Sequence, residues 1–244
     1  MSTANPGRRR LLRDFCCGGL TLSAGLLTGR PQAATTKKTE LTSQQALDLL
    51  KEGNRKFVSD SPVQSVQGRD RRLEIARGQT PIAVLVSCSD SRVPPELLFG
   101  RGLGELFIVR NAGNTVDNVA QGSIEYAVAQ LGVPLVVVMG HERCGAVEAA
   151  VTVVERNATF PGSIGQMIEP IIPAVLKARA GLKSKAQHSE GELLETAVRE
   201  NVLRVVNRLR TSEALLLEPV RTKNLLVVGA RYDLDDGEVE FFEN

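Results

Sequence analysis

The chain has 244 residues, 42% hydrophobic and 24% charged, with 22 Gly and 11 Pro; this globular composition excludes a disordered or low-complexity protein. The formal charge of +2 belongs to the amino terminus: residues 1–34 carry five Arg (Arg8, Arg9, Arg10, Arg13, Arg30) and one Asp (Asp14), which leaves the remainder at −2. A near-neutral body with two Tyr and no Trp lacks the clustered cations and stacking aromatics of a nucleic-acid surface, so small-molecule chemistry is the better expectation.

Arg8, Arg9 and Arg10 precede a mildly apolar stretch rich in small residues over 15–27, the shape of an export signal of the twin-arginine kind. The apolar run falls short of the ~20 residues that cross a bilayer, so no stable transmembrane segment is expected. Residues 1–34 therefore read as a signal peptide and the product as periplasmic, or in another extracytoplasmic lumen. Small residues at 31–34 suit cleavage without forming a clean Ala-x-Ala site. Cys16 and Cys17 would leave with the leader, so the mature chain keeps Cys88 and Cys144. In an oxidising compartment, two surviving cysteines read first as a disulfide.

Residues 35–40 form a polar linker, and residues 43–58 have helical periodicity with Ala46, Leu49, Leu50 and Phe57 on one face. A loop to Gly68 and a short helix over 70–76 lead to an unalternating apolar run at 81–86, the pattern of a buried parallel strand. Similar runs recur at 106–109, 134–139 and 225–229, with an edge strand at 239–242. Helices are expected over 116–131, 145–154, 163–180 and 190–209. Strands separated by helices define one α/β domain over 41–244, with a mostly parallel sheet of four or five strands flanked by helices. In such sheets ligands collect beyond the carboxyl ends of the strands, where Cys88 and His141 stand.

The first strand tip reads Ser87-Cys88-Ser89-Asp90-Ser91-Arg92-Val93, and the third reads Gly140-His141-Glu142-Arg143-Cys144-Gly145-Ala146. Cys88, His141 and Cys144 offer the sulfur and imidazole donors that zinc prefers, with a fourth position open for a water that ionises near neutral pH and attacks as hydroxide. Alone, His-x-x-Cys plus one distant Cys reads equally as a disulfide or as buried thiols. The neighbours shift that balance. Asp90 lies two residues from a ligand, and Arg92 presents a planar fork that matches a carboxylate. Paired with Arg92, Asp90 stays off the metal; unpaired, it is an alternative fourth ligand.

These two segments, with Val109-Arg110-Asn111-Ala112-Gly113-Asn114 between them, resemble the β-class carbonic anhydrases from about Leu41 to the carboxyl terminus. The resemblance implies a zinc enzyme that interconverts carbon dioxide with bicarbonate and a proton, built as a homodimer or a higher assembly of dimers. By position, Cys88, His141 and Cys144 would hold zinc, and Asp90 with Arg92 would form a gating dyad. Gln79, Phe107 and Tyr126 match the substrate amide, the pocket wall and the interface tyrosine of the plant-like subclass, and Gly145 matches the glycine that leaves room beside the metal. The subclass closed by bicarbonate is similar to a pattern with Trp three residues before the first Cys; here that residue is Leu85, although Arg110 is retained. An open, plant-like site follows. Two thiolates balance the charge of the dication, so its water should acidify less than beside three imidazoles, and activity should rise with pH.

Two readings compete with this one. The same scaffold could hydrolyse carbonyl sulfide or carbon disulfide, or the metal, closed by Asp90, could serve structure alone. Gly100-Arg101-Gly102-Leu103-Gly104 precedes a strand instead of opening a helix and reads as a turn, and His188 reads as a solvated loop residue in place of a proton shuttle.

Overall fold

The structure is a computed structural model that describes residues 38–61, 67–182, 189–211 and 213–242. The leader with Cys16 and Cys17, residues 35–37 of the linker, and His188 lie outside the described residues. In chain order the elements are α1 (Ser43–Val58), α2 (Arg69–Ile75), β1 (Ala83–Ser87), α3 (Pro95–Leu98), β2 (Leu106–Arg110), a 3-10 turn at Ala112–Asn114, α4 (Asn118–Ala129), β3 (Leu135–His141) and α5 (Gly145–Arg156). They continue with α6 (Ser163–Ile168), α7 (Ile172–Leu182), α8 (Glu190–Thr211), α9 (Ala214–Arg221), β4 (Leu226–Tyr232) and β5 (Val239–Phe242).

The five strands form one sheet in the order β2-β1-β3-β4-β5, parallel except for β5, which pairs antiparallel with β4. This is the expected architecture. Every residue of β1 and β3 is buried, because helices cover both faces and the apolar runs have no solvent side to alternate toward. Alternate side chains serve two cores. Val84, Val86, Val136 and Val138 pack with Ile124 of α4, Val202 and Leu209 of α8 and Leu216 of α9. Ala83, Leu85, Leu135 and Val137 face Ala46 and Leu50 of α1 and Leu98 of α3.

α1 begins with a reciprocal capping box: Thr42 Oγ1 accepts from the Gln45 amide while the Gln45 side chain accepts from the Thr42 amide. Its buried seam is Ala46, Leu47, Leu50, Gly53 and Asn54, so Leu47 points further inward than the expected face, and Leu49 and Phe57 sit at its margin. The helix expected over 163–180 is two helices joined by a 3-10 segment, Glu169–Ile171. Pro170 lies inside that joint and Pro173 in the first turn of α7, positions where a missing N–H breaks no helical bond. The short helices α3 and α9 carry too few turns to show a periodicity in sequence.

The strand order places the functional end. β1 pairs with β2 on one side and with β3 on the other, so the chain reverses the direction of sheet growth between β2 and β3. The crevice beyond the carboxyl ends of β1 and β3 is therefore the switch point, where ligands of open α/β sheets are found.

Candidate metal centre

Cys88 follows β1, His141 ends β3, and Cys144 caps the amino end of α5. Since Ser87 is in register with Met139 on the adjacent strand, the two tips are neighbours. The Sγ atoms of Cys88 and Cys144 and a ring nitrogen of His141 all lie within 4.8 Å of one another, and all three residues are buried. Arg143, between two of these residues, adopts a left-handed backbone with φ of 51°, which turns the chain from strand to helix within three residues.

Both cysteines are free, with sulfurs 4.0 Å apart, which answers the disulfide reading. That separation is close to the roughly 3.8 Å between two sulfurs on a tetrahedral zinc with bonds of about 2.3 Å. The imidazole is set for the same purpose. His141 Nδ1 lies 2.8 Å from the Glu142 carbonyl, a contact that needs the proton on Nδ1 and leaves a lone pair on Nε2. Nε2 is buried with no hydrogen-bond partner, as are Ser87 Oγ and Asn114 Nδ2 among the described residues, but Nε2 alone of these atoms stands with two thiols. An orphaned buried acceptor beside two sulfurs is the donor set of a soft or borderline cation.

The two thiols are not equivalent. Cys88 is pulled downward by the hydrogen bond from Cys144, opposed by burial and assisted by the nearby His141 ring and by the Gly113 amide, which donates to its Sγ at 3.3 Å. Cys144 is pushed upward by that same bond and by burial, while the amides of Val147 and Ala146 at the start of α5 pull it back. Binding of a cation would remove the shared proton and favour both thiolates.

Asp90 stands beside this set, with Oδ2 3.8 Å from His141 Nε2, yet it is not a member of the converging group. Arg92 holds it by three donors: Nε to Oδ1 at 3.0 Å, Nη2 to Oδ2 at 2.8 Å and the backbone amide to Oδ1 at 2.9 Å. The guanidinium keeps the carboxyl well below the usual carboxylate range, against the raising effect of partial burial. Thus the dyad expected from sequence is assembled with its carboxylate engaged by arginine. Gly145 opens α5 next to Cys144, and a Cβ there would meet nothing within 4 Å, so the space beside the sulfur is real.

The other expected site residues lie elsewhere in the same chain. Phe107 pairs in register with Val84, about 13 Å of strand before Cys88, and its ring is 6.5 Å from that of Tyr126. Gln79 is exposed ahead of β1, in a groove of about 530 Å³ that also contains Arg71, Arg77 and Thr80 and no metal-cluster residue. One chain therefore gathers the cation ligands and the Asp90–Arg92 dyad at one end, and Gln79, Phe107 and Tyr126 toward the other.

Sequence reasoning missed what holds the first tip. Arg110, at the end of β2, donates through Nε to the Cys88 carbonyl at 2.9 Å and through Nη2 to the Asp90 carbonyl at 2.6 Å. Arg110 was visible only as a motif residue, and its fork on the neighbouring backbone follows from strand adjacency. The Gly113 amide left no signal, because any residue but proline has an amide.

With this geometry in place, the comparisons are specific. Residues 83–239 match the carbonic anhydrase family. A carbonic anhydrase of Mycolicibacterium smegmatis is 37% identical over 80% of this chain and 91% of its own length. Carbonic anhydrase 2 of Mycobacterium tuberculosis is 40% identical over 79% of this chain and 89% of its own. Among solved structures, a tetrameric β-carbonic anhydrase of Sordaria macrospora superposes with TM-score 0.64 at 27% identity, covering 70% of this chain and 85% of that one. The β-carbonic anhydrase of Coccomyxa crystallised with acetazolamide gives 0.61 at 28% identity, over 80% and 85%. The chain belongs to the carbonic anhydrase family, in its β class.

Proposed function

We propose that this protein catalyses the reversible hydration of carbon dioxide to bicarbonate and a proton, with zinc held by Cys88, His141 and Cys144. The observation that carries this reading is the buried, unpartnered His141 Nε2 facing two thiols, beside an aspartate that arginine keeps out of the donor set. A bound zinc ion supplies Lewis-acid activation of water. The remaining work falls to the chain. Ionised Asp90 can only accept, so a water resting against Oδ2 points a hydrogen at it and turns a lone pair toward arriving carbon dioxide. Arg92 fixes that orientation through its fork on both carboxylate oxygens.

Substrate recognition is completed by a second copy of the chain. Among the described residues β2 is an open sheet edge, on which Leu106, Phe107 and Ile108 are only half-buried. On the adjoining α4, Val119 is 77% and Tyr126 51% exposed. An apolar strip along an unpaired edge suits a homodimer, and it is the face that carries two of the three displaced pocket residues. In a dimer, Phe107 and Tyr126 of one copy would wall the site of the other, and the Gln79 amide would donate to bicarbonate oxygens as charge develops. This is the open, plant-like arrangement, with Leu85 where the bicarbonate-closed subclass would need an indole. The arginine-led amino terminus supports export by the twin-arginine route to the periplasm.

Stopped-flow hydration of carbon dioxide by the full chain tests the reading. Activity should be lost with a strong chelator and return with zinc. A protein that binds zinc, forms the dimer and leaves carbon dioxide untouched would refute the reading, and turnover of carbonyl sulfide in its place would select the competing one.

A further inference from the structure

The 3-10 turn between β2 and α4 reaches the metal cradle through the Gly113 amide, which donates to Cys88 Sγ. A side chain at that position would be strained. Its φ is 67°, and a Cβ would lie 2.6 Å from Ile171 Cδ1 and 3.2 Å from Ala146 Cβ. Its carbonyl is also taken: Asn201 of α8, 1% exposed, donates to it from Nδ2 at 2.8 Å. Gly113 thus receives a bond from the long helix on its oxygen and gives one to a thiol sulfur through its nitrogen.

The depth at which α8 sits is set by two more glycines. A Cβ on Gly140 of β3 would lie 2.8 Å from Val202 Cγ2 and 3.0 Å from Val198 Cγ1. A Cβ on Gly229 of β4 would lie 2.9 Å from Val202 Cγ1. Val198, Asn201 and Val202 fall at helical spacing on one face, so the seat that admits the valines also delivers the Asn201 amide to the turn. Gly140 immediately precedes His141, which ties the same helix to the second strand tip.

The geometry points to Asn201 as a positioning residue for the metal centre. By fixing the Gly113 carbonyl, it holds the left-handed turn so that the Gly113 N–H donates to the Cys88 sulfur, and α8 thereby sets the place of one ligand. Partners that hydrogen-bond a metal ligand typically change affinity by about 10–100-fold when removed. An asparagine buried only for packing would have no such reach. The inference rests on the metal reading above, and its test separates the two.

Full-length wild type, Asn201→Leu and Val206→Ala are loaded with cobalt(II). Two quantities are read, the metal affinity by chelator competition and the energy of the thiolate-to-cobalt absorption. Leucine keeps the Cγ branch and heavy-atom count of asparagine, is bulkier, and lacks the donor; Val206 lies on α8 in the valine-rich core and serves as a control for lost stability. Asn201→Leu should weaken metal binding by about 10-fold or more and move the absorption to longer wavelength, since a thiolate without its donor gives up charge more readily. Val206→Ala should lower the melting temperature and leave the absorption in place. The inference is overturned if Asn201→Leu keeps affinity and spectrum within about twofold of wild type, or if Val206→Ala moves both as far. Should Asn201→Leu fail to fold, Asn201→Ser decides by the same readouts. Failure of wild type itself to take up cobalt sinks the metal reading instead.

Discussion

Two triads of ligand-type side chains stand next to each other in this molecule and have opposite fates. Cys88, His141 and Cys144 converge within 4.8 Å, and so do Glu142, Asp233 and Asp235. The first triad is buried, and its imidazole Nε2 has no hydrogen-bond partner. The second is partly exposed at Glu142 and Asp233, mostly exposed at Asp235, and already neutralised: Arg143 binds Asp235 at 2.6 Å and Glu142 at 3.2 Å, and Arg231 binds Asp233 at 3.1 Å. Convergence alone therefore does not define a metal site. What distinguishes the first is unspent donor capacity in a place water does not reach, where leaving it unspent costs free energy.

The sharpest way to break this contrast is Cys88→Ser. Cobalt or zinc binding should be lost together with at least roughly 10³-fold of the hydration rate, as read by metal analysis and stopped flow. Asp90→Ala comes next: metal content stays at the wild-type level while the rate falls by roughly 10²-fold, because orientation goes and coordination remains. Arg110→Ala removes the fork from the Cys88 and Asp90 carbonyls and should weaken metal binding by about 10-fold, measured by chelator competition. Glu142→Gln, in the acidic triad, should change neither metal stoichiometry nor affinity by more than about twofold, since His141 leans on the Glu142 backbone carbonyl and not on its side chain.

Acid separates the triads by the pH at which each gives way. Cation binding needs deprotonated sulfur and imidazole, so occupancy should fall as pH drops below neutrality. Asp233 and Asp235 are held below the ordinary carboxylate range, Asp233 chiefly by the Asp235 amide and Asp235 chiefly by the Arg143 hydrogen bond. Groups depressed in this way contribute stability that is fully present above their unfolded value of about 3.9 and lost only as pH falls through the lower native one. Metal release should therefore precede the loss of the Arg143–Asp235 and Arg231–Asp233 pairs in a pH series followed by metal content and melting temperature. The reverse order would mean that the acidic triad, and not the cysteines, governs acid sensitivity.

Much of this arrangement was legible in the residues. The valine-rich runs at 81–86 and 134–139 had no polar alternation, which marked them as doubly covered strands, and the tetrahedral donor types stood at their tips. The spacing of Asp90 and Arg92 was enough to foresee their pairing. The break at Pro170 was missed because the apolar period continues across it, and only the missing N–H marks the joint. Asn201 was invisible for a different reason. It sits 88 residues from Gly113, and its polar side chain on a buried helical stripe looks like a flaw in the pattern until the turn it serves is placed beside it. Gln79, Phe107 and Tyr126 were legible as a set, but their separation from the cysteines appears only once the strands have directions.

The cradle draws its arms from chain segments on either side of α3, β2 and α4, and these elements form an excursion between residues 88 and 141. A cation seated there acts as a rivet across that detour: neither strand end can peel from the sheet until the ion is surrendered. Because a ligand that grips only the native form adds to its persistence by mass action, the metal content of a preparation should set its survival under protease as well as its turnover.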